Sequence, residues 1–443
     1  MKMLATQRKS AADPRLIAAR VLRDVLKGRS LSDLLPERLN GLDDPRDRAL
    51  AQELCYGVMR GYPRLQALVG LLLKKPLKAK DQDLQALILI GLYQLSEMRV
   101  AAHAAIHETA GAAGRLGKRW GVGLINGVLR NFQRQQAVLQ EKVDRQPSSR
   151  YAMPDWLLQR IEQRWPDSWQ ERIAALSARP PMSLRINCRQ VDRGDYLERL
   201  WEQQITAEPV PHTESGLTLQ RPVDVLELPG FSDGAVSVQD GGAQLAAPLL
   251  ELQPGQRVLD ACAAPGGKTG HMLELADDLR LTAIDLDPQR LQRVAENLQR
   301  LGLQAELQAG DAAHPQGRWA ERQYDRILLD VPCSATGVMR RHPDIKYLRS
   351  EADIDRLGRL QGQILDAIWP LLKPGGLLLY ATCSLLPQEN EQQLEAFLQR
   401  CGDAREQPIE AGWGEPRCVG RQIAPGQHGM DGFYYARLQR VPG

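Results

Sequence analysis

The chain has 443 residues, and because that is long for one domain we expect two or three. Its hydrophobic content of 43% and charged content of 25% are typical of a soluble globular protein, and no apolar run approaches the roughly 20 residues that span a bilayer. The net charge of +3 permits nucleic-acid binding but does not require it. Seven scattered cysteines without a Cys-x-x-Cys pair indicate a reducing cytoplasm and argue against a zinc site.

Residues 13–136 are predicted to be helical throughout, because apolar side chains recur at helical spacing between Gly and Pro breakers. The strongly apolar stretch 84–95 is predicted to be the central helix of a bundle. His103 and His107 share one helical face, but no further His completes a ligand set, so we expect no metal there. The polar stretch 141–154 is predicted to be a linker.

The rest of the chain mixes strands with helices. Residues 150–235 are predicted to form a small α+β subdomain. From about residue 237, strands and helices alternate, which is the pattern of a parallel α/β sheet. The predicted strands are 256–260, 281–285, 305–309, 326–330, 376–382 and 433–440, and the predicted helices are 268–276, 288–301, 354–372 and 390–400.

One turn in this region has the layout of a nucleotide site. The sequence Asp-Ala-Cys-Ala-Ala-Pro-Gly-Gly-Lys-Thr (260–269) runs from a strand through a glycine turn into a helix. It is neither Gly-x-Gly-x-x-Gly nor a Walker loop, because Cys262 replaces the first glycine of the Walker pattern. The turn therefore predicts a nucleotide-like ligand and disfavours a pyrophosphate.

Acidic side chains follow the same edge of the predicted sheet. At or just past the carboxyl ends of successive strands stand Asp260, Asp285, Asp311 and Asp330. Ligands of open α/β sheets bind at this edge, and Asp285 has about the spacing expected of a carboxylate that accepts ribose hydroxyls. Asp287 is the alternative, but it stands where a helix N-cap is wanted before Pro288. Asp311 is expected on the adenine side of the ligand.

Two cysteines end neighbouring predicted strands at this edge, Cys333 in a Pro-Cys-Ser turn and Cys383 in a Thr-Cys-Ser turn. Two small buried hydrophobic residues would be the ordinary interpretation of such cysteines. Two thiols in polar turns beside one ligand edge favour a chemical role instead.

Together, segments 260–269, 330–334 and 381–384 resemble the Sun (Fmu) family of RNA cytosine-C5 methyltransferases. Segments 237–244 and 340–344 match the family as well, and the helical first part resembles a NusB-like RNA-binding fold. The resemblance implies three domains. They are an all-α NusB-like domain (1–145), a small α+β subdomain (146–235) and a Rossmann-like class I methyltransferase domain (236–443).

The resemblance also implies a reaction, a cofactor and a set of site residues. It implies S-adenosylmethionine as methyl donor, 16S rRNA as substrate, no metal and no membrane, and we expect a cytoplasmic monomer. Cys383 is implied as the nucleophile, Cys333 as the group that assists breakdown of the adduct, and Asp330 as part of the catalytic set. The implied cofactor residues are Cys262, Ala263, Ala264, Pro265, Gly266, Gly267, Lys268, Asp285, Asp311 and Asp330.

The chemistry explains why such residues are needed. Cytosine C5 does not attack a methyl group unaided, but addition of a thiolate at C6 moves electron density to C5. Protonation of N3 eases this addition, and Asp330 is our candidate for an acid kept neutral by burial. Spacing alone does not say which cysteine attacks. DNA cytosine-C5 methyltransferases use a Pro-Cys cysteine, which would be Cys333, whereas the Thr-Cys cysteine, Cys383, distinguishes the RNA family.

Two other functions fit parts of the sequence. A non-catalytic RNA-binding or antitermination factor would keep the methyltransferase-like domain as a scaffold, but both cysteines and the glycine turn are intact. A DNA cytosine methyltransferase would need a target-recognition domain late in the chain, and we expect no room for one after Cys383.

Overall fold

The computed structural model describes residues 13–442, and the chain divides into two compact units. Of the described residues, 13–177 and 339–350 form the first unit, and 178–338 and 351–442 form the second. Across the described residues, no helix combines the length and the apolar character that crossing a membrane requires.

The first unit is helical. Its central helix is α5, whose residues Leu84, Leu87 and Ile88 are fully buried, as the apolar run predicts. Helix α1 begins where Asp13 accepts a hydrogen bond from the Arg15 backbone N–H, 3.0 Å away. The helices of residues 13–177 are α1 (Pro14–Val25), α2 (Leu31–Leu39), α3 (Pro45–Arg60), α4 (Tyr62–Leu72), α5 (Gln82–Glu97), α6 (Ala102–Arg115), α7 (Arg119–Val143), α8 (Pro147–Arg150), α9 (Asp155–Arg164) and α10 (Trp169–Ser177).

The predicted linker at 141–154 is wrong, because α7 continues to Val143 and α8 follows within the same stretch. Val143 is only 5% exposed, and Leu139, one turn earlier, packs on the same core, so this end of α7 has an apolar face to bury. Just past the helix, the Asp144 carboxylate accepts two hydrogen bonds from Arg64, at 2.7 and 2.8 Å.

Residues 339–350 belong to the helical unit although they come late in the chain. The Asp344 side chain is buried and accepts from the Leu31 backbone N–H at 2.8 Å, so it caps α2 across 313 residues of sequence. Lys346 is buried as well, and its Nζ lies 3.3 Å from both the Arg60 carbonyl and the Ser177 hydroxyl. Burial lowers the pKa of Lys346 to about 7.

The second unit begins with a small antiparallel sheet, in the order β2-β3-β1-β4. Its core includes Leu184 from the sheet and Tyr196 from the helix, both fully buried. Helices α9 and α10 group with the first unit, whereas this sheet groups with the second. The elements are β1 (Met182–Ile186), α11 (Arg193–Glu202), β2 (Ala207–Pro209), β3 (Gly216–Leu219) and β4 (Val236–Val238).

A larger mixed sheet follows, in the order β11-β12-β13-β9-β8-β5-β6-β7, with β10 paired to β13. The elements are α12 (Gly241–Gln244), β5 (Arg257–Ala261), α13 (Gly267–Leu275), β6 (Arg280–Asp285), α14 (Pro288–Leu301), β7 (Glu306–Ala309), β8 (Tyr324–Asp330), α15 (Glu351–Ile368), β9 (Leu372–Thr382), α16 (Glu391–Arg400), β10 (Ala404–Glu406), β11 (Glu415–Pro416), β12 (Arg421–Ile423) and β13 (Phe433–Arg440). A four-residue helix, Ile345–Leu348, lies in the segment that joins the first unit.

Strands β5, β6, β7, β8 and β9 pair in parallel with one another, as the sequence predicts, and β13 pairs antiparallel with β9. The central strands read as continuous apolar runs because helices cover both faces of such a sheet; Ile327, Leu328 and Leu329 in β8 are fully buried. The carboxyl ends of β5, β6, β8 and β9 therefore meet at one edge, and the predicted site residues stand there.

Candidate active site

The turn after β5 packs tightly against α14. Gly266 has a φ of +93°, and a Cβ at this position would lie 3.0 Å from Val294 Cγ1 and 3.1 Å from Val294 Cα. Only glycine adopts this left-handed backbone conformation readily and also leaves room for Val294. Arg290 of α14 donates to the Ala264 carbonyl at 2.9 Å, which fixes the turn from the other side. Cys262 is half-buried in the same turn, with a φ of +65°, and burial raises the pKa of its thiol.

Asp285 ends β6 and is 3% exposed. Its two carboxylate oxygens accept from the backbone N–H groups of Ala264 and Asp287, each at 3.1 Å, and Arg290 lies 3.5 Å away. Asp287 accepts from the Gln289 N–H at 2.8 Å and caps α14, as predicted. Because Asp287 is engaged as the cap, Asp285 is the carboxylate that the fold orients at this strand end.

Asp260 is the buried acid of the site. It is 1% exposed, its Oδ2 accepts from the Thr269 hydroxyl at 2.6 Å, and its Oδ1 has no hydrogen-bond partner among the described residues. Burial raises the pKa of Asp260 to about 7. The environment that the sequence analysis assigned to Asp330 is thus found at Asp260.

Asp330, at the end of β8, stands in a different environment from the one predicted. Its side chain is 29% exposed, and Oδ2 accepts from the Lys268 ammonium at 2.5 Å. Burial works to lower the pKa of Lys268, but the charge and hydrogen bond of Asp330 outweigh it and the pKa is raised. The Lys268 Nζ also lies 5.6 Å from the centroid of the Phe433 ring. Asp330 is therefore half of an ion pair, because the lysine of the glycine turn reaches across to β8.

Asp311 is the most open of the four aspartates. Its side chain is 41% exposed and accepts from the Ala313 backbone N–H at 2.9 Å. His314 Nδ1 lies 2.9 Å from the carboxylate, and this hydrogen bond lowers the pKa of Asp311. No hydrogen bond among residues 13–442 joins Asp311 to another of the predicted aspartates.

The two predicted cysteines meet. The Sγ atoms of Cys333 and Cys383 lie 3.5 Å apart, although 50 residues separate them in sequence. The parallel register of β8 and β9 pairs Asp330 with Ala381, which sets the two following turns side by side. The hydrogen bond to Cys383 and burial raise the pKa of Cys333 well above its ordinary value.

A buried polar network beneath these turns was missed by the sequence analysis. Its centre is Glu389, which is fully buried. Glu389 Oε1 accepts from the Ser334 backbone N–H at 2.7 Å and from Gln361 Nε2 at 3.1 Å. Glu389 Oε2 accepts from the hydroxyls of Ser334, at 2.5 Å, and Ser384. The segment Pro-Gln-Glu-Asn (387–390) reads as an ordinary helix start, so no local pattern singles Glu389 out.

Asn390, next in the chain, is also fully buried and fixes the end of β9. Its Oδ1 accepts from the Thr382 hydroxyl at 2.6 Å. Its Nδ2 donates to the Ser384 carbonyl at 3.0 Å and to Gln422 Oε1 at 2.9 Å. Asn390 therefore binds the residues directly before and after Cys383, which fixes the turn.

The two histidines of helix α6 belong to the first unit. His103 and His107 are exposed, and His107 Nδ1 lies 3.3 Å from the Glu108 carboxylate. Among residues 13–442, no group of three or more His, Cys, Asp or Glu side chains is arranged to hold a metal ion.

Three family models match the chain in order. The NusB family matches residues 12–134, and a ferredoxin-like domain of RsmF/B-like methyltransferases matches 153–226. The model of the 16S rRNA methyltransferase RsmB/F matches residues 247–439.

Full-length relatives decide the family. Ribosomal RNA small subunit methyltransferase B of Pseudomonas syringae pv. tomato is 51% identical over 436 residues and covers 97% of both chains. The protein of the same name from Vibrio cholerae is 50% identical over 428 residues, covering 96% of this chain and 97% of its own. The chain belongs to the RsmB/F family of rRNA methyltransferases. The resemblance drawn from the three sequence motifs is thereby confirmed.

Solved structures support the fold of this RsmB/F family member. The crystal structure of PH0851 has a TM-score of 0.82 at 21% identity and covers 98% of this chain and 100% of its own. NSun6 from Pyrococcus horikoshii, solved with SFG, has a TM-score of 0.58 at 21% identity and covers 66% of this chain and 99% of its own. With the family matches, these likenesses confirm the predicted fold class of NusB-like, α+β and methyltransferase parts.

Proposed function

We propose that the protein transfers a methyl group from S-adenosylmethionine to carbon 5 of a cytosine in 16S rRNA. The observation that carries the proposal is the 3.5 Å separation of the Cys333 and Cys383 Sγ atoms at the carboxyl edge of the sheet. Membership of a family of 16S rRNA methyltransferases supports the reaction class and the RNA substrate. Two thiols beside one base suit a covalent route in which one adds and the other helps to release.

The turn after β5 and the neighbouring carboxylates fit S-adenosylmethionine. Asp285 is a buried carboxylate already oriented by two backbone N–H groups, which suits ribose hydroxyls. The homologous fold of NSun6 was solved with SFG, an analogue of this cofactor, and supports the fit. When bound, the cofactor supplies an electrophilic methyl group. The residues proposed to hold it are Cys262, Ala263, Ala264, Pro265, Gly266, Gly267, Lys268, Asp285, Asp311 and Asp330.

Cys383 is the proposed nucleophile. Its charge contributes to the raised pKa of Lys268, so a Cys383 thiolate and this ammonium attract each other. The hydrogen bond between the two sulfur atoms and burial raise the pKa of Cys333, which suits Cys333 as a thiol that can donate to a Cys383 thiolate. Attack forms a bond from sulfur to C6 and moves the C5–C6 π electron pair toward C5, the carbon that is methylated.

The remaining steps move protons. Asp330 is the residue proposed to face N3 of the base. Because it is an ion-paired carboxylate, the proton for N3 is proposed to come from the Lys268 ammonium, 2.5 Å away, and to reach N3 through Asp330. Cys333 is proposed to assist loss of the C5 proton, which passes to water. The electron pair of the C5–H bond is then available to re-form the C5–C6 double bond, N3 returns its proton to the Lys268–Asp330 pair, the bond between C6 and sulfur breaks, and Cys383 leaves as a thiolate. The target base must leave its stack to reach this edge.

The other parts of the protein are proposed to hold the RNA. The NusB-like domain (1–145) and the α+β subdomain (146–235) would bind by shape and backbone contacts, while the domain at 236–443 takes one extruded base. We also propose that the protein acts as a monomer in the cytoplasm and without a metal ion, with its seven cysteines reduced.

Covalent trapping tests the proposal. Wild type, Cys333→Ala and Cys383→Ala are incubated with 16S rRNA and S-adenosylmethionine labelled on the methyl group, and the products are separated on denaturing gels. We expect Cys333→Ala to leave a stable protein–RNA adduct. We expect Cys383→Ala to leave none and to lose activity by on the order of 10⁴-fold or more, as removal of a nucleophile does.

Other outcomes select the alternatives. An adduct with Cys383→Ala instead of Cys333→Ala would assign the attack to Cys333, as in DNA cytosine-C5 methyltransferases. If no protein, wild type included, methylates a cytosine in naked 16S rRNA or in small-subunit particles, the non-catalytic RNA-binding function replaces this one.

A further inference from the structure

The two cysteine turns share one buried carboxyl group. Ser334 directly follows Cys333, Ser384 directly follows Cys383, and both serine hydroxyls donate to Glu389 Oε2. All three of these polar residues have no solvent exposure. Glu389 makes no ion pair with any residue in the described part of the chain, so neutral donors alone compensate its carboxyl group. This arrangement links the neighbours of both thiols through a single side chain.

Glu389 holds the two turns unequally. It binds Ser334 twice, through the backbone N–H at 2.7 Å and the hydroxyl at 2.5 Å, but binds Ser384 only through its hydroxyl. Gln361 strengthens the first contact, because its Nε2 donates to Glu389 Oε1 at 3.1 Å and to the Pro332 carbonyl at 2.9 Å. The Cys333 turn is therefore tied to Glu389 more firmly than the Cys383 turn.

The backbone of Glu389 is itself fixed by a side chain of β9. Its backbone carbonyl accepts from the hydroxyl of Tyr380, a fully buried residue of β9, at 2.8 Å. A direct backbone bond also joins the turns, since the Gly337 N–H donates to the Cys383 carbonyl at 2.8 Å. Burying a carboxyl group costs stability unless its hydrogen bonds are made, and an apolar side chain would fill the same space without that cost. The network therefore points to a role in geometry.

We propose that Glu389 is a positioning residue that holds the Cys333 and Cys383 thiols at the separation needed for attack and release. The inference rests on the proposed function for its catalytic meaning, but the geometric part does not depend on methyl transfer. Through Ser334, Glu389 fixes the position of Cys333, the thiol proposed to assist release. Through Ser384, it fixes the position of Cys383, the thiol proposed to attack.

The geometric part is tested by thiol cross-linking without RNA. Diamide oxidises two adjacent thiols to a disulfide and takes up the two electrons and two protons itself. The rate at which the peptide containing Cys333 becomes linked to the peptide containing Cys383 is followed by mass spectrometry. We expect Glu389→Ala to slow this linkage roughly 3- to 10-fold, and Glu389→Gln, which keeps the volume and one acceptor oxygen, to restore it to within about 3-fold of wild type.

The catalytic part is tested with a matched pair, Ser334→Ala and Ser384→Ala. Both remove one buried hydroxyl bound to the same oxygen. Because Ser384→Ala also removes the acceptor of the Leu386 N–H, the free energy of unfolding of both variants is measured alongside. We expect each to lower turnover roughly 3- to 10-fold, with opposite effects on the trapped adduct. Ser334→Ala loosens Cys333, so the steady-state adduct rises; Ser384→Ala loosens Cys383, so the adduct falls. The Kd for S-adenosylmethionine should stay within about 2-fold of wild type in both variants.

The outcomes separate this inference from the proposed function. Unchanged cross-linking in Glu389→Ala overturns the inference, as does a parallel fall of adduct and turnover in both serine variants. Slower cross-linking together with an inactive wild type leaves the geometry standing and rejects the proposed reaction. If Glu389→Ala does not fold, cross-linking in the two serine variants decides the geometric part, and unchanged rates in both overturn it.

Discussion

The two halves of the catalytic edge are built in different ways. After β5 and β6, the carboxylate of Asp285 is held by backbone N–H groups of nearby turns, one of them only two residues away. After β8 and β9, the cysteine turns are held by side chains, and Glu389 lies 55 residues from Ser334 in sequence. The half proposed to bind the cofactor (the cofactor half) thus relies on backbone N–H groups to hold its carboxylate, whereas the thiol half relies on side chains. Substitutions should therefore act differently on the two halves.

The largest effect is expected in the thiol half from Asn390→Ala. This change removes the acceptor of the Thr382 hydroxyl and one donor to each of the Ser384 carbonyl and Gln422 Oε1. We expect it to lower the free energy of unfolding by roughly 2–5 kcal/mol, because three buried hydrogen bonds are lost and a buried group that finds no replacement partner costs about 1–3 kcal/mol. Denaturant titration measures the loss. A loss below about 1 kcal/mol would contradict the view that side chains hold this half together.

A pH-dependent effect is expected in the cofactor half from Asp260→Asn. The pKa of Asp260 is raised to about 7 in the folded protein, whereas an unfolded Asp titrates near 3.9. Between about pH 4 and pH 7 the folded state keeps a proton that the unfolded state releases, so the free energy of unfolding falls as pH rises.

Asp260→Asn removes this titration. Relative to wild type, it should gain roughly 2–4 kcal/mol between pH 4 and pH 8. Parallel denaturant titrations of both proteins without cofactor measure the difference. If their stabilities change in parallel across this range, Asp260 does not retain its proton in the fold.

A smaller effect is expected from Asp285→Ala. It removes the acceptor of two backbone N–H groups and the proposed partner of the ribose. We expect the Kd for S-adenosylmethionine to rise roughly 10- to 100-fold, as loss of hydrogen bonds to a charged group does. Calorimetry measures this binding. The diamide linkage of Cys333 to Cys383 serves as the control and should be unchanged, because the thiol half has its own supports.

The smallest effect is expected from Asp311→Ala, the matched control for Asp285→Ala. Asp311 is 41% exposed, and within residues 13–442 its hydrogen-bond partners are the Ala313 N–H and His314. We expect the Kd for S-adenosylmethionine to rise by less than about 10-fold, since an exposed hydrogen bond contributes less than a buried one. A larger rise for Asp311→Ala than for Asp285→Ala would reverse the order of the two carboxylates.

The features that the sequence predicts correctly are those set by local patterns and by the pairing of neighbouring strands. The turn at 262–268, the cap at Asp287 and the strand ends are local patterns, and the structure has them where they were predicted. The meeting of the two thiols also follows from sequence, because parallel neighbouring strands end at one edge. Local pattern and sheet register therefore account for most of the fold and for the position of the thiols.

The errors come from contacts distant in sequence. Lys268 reaches Asp330 across 62 residues, so the environment of Asp330 could not be inferred from its own strand. Glu389 has no local signal, since its partners come from three separate segments. The extension of α7 depends on Leu139 and Val143 finding a core to bury against. In each case the contact that determines the structure is made with residues too distant in sequence to affect a local periodic pattern.

The late segment 339–350 makes the helical unit a two-piece structure in sequence. Asp344 supplies the acceptor for the Leu31 N–H, and Tyr347 donates its hydroxyl to the Leu26 carbonyl at 2.8 Å. A fragment ending at residue 177 would lack both partners. A chimera of two relatives should therefore take residues 1–177 and 339–350 from the same parent. A single crossover between these segments would combine the helices of one relative with the 339–350 segment of another. Sequence changes in the segment 339–350 are thus constrained by helices encoded some 300 residues earlier.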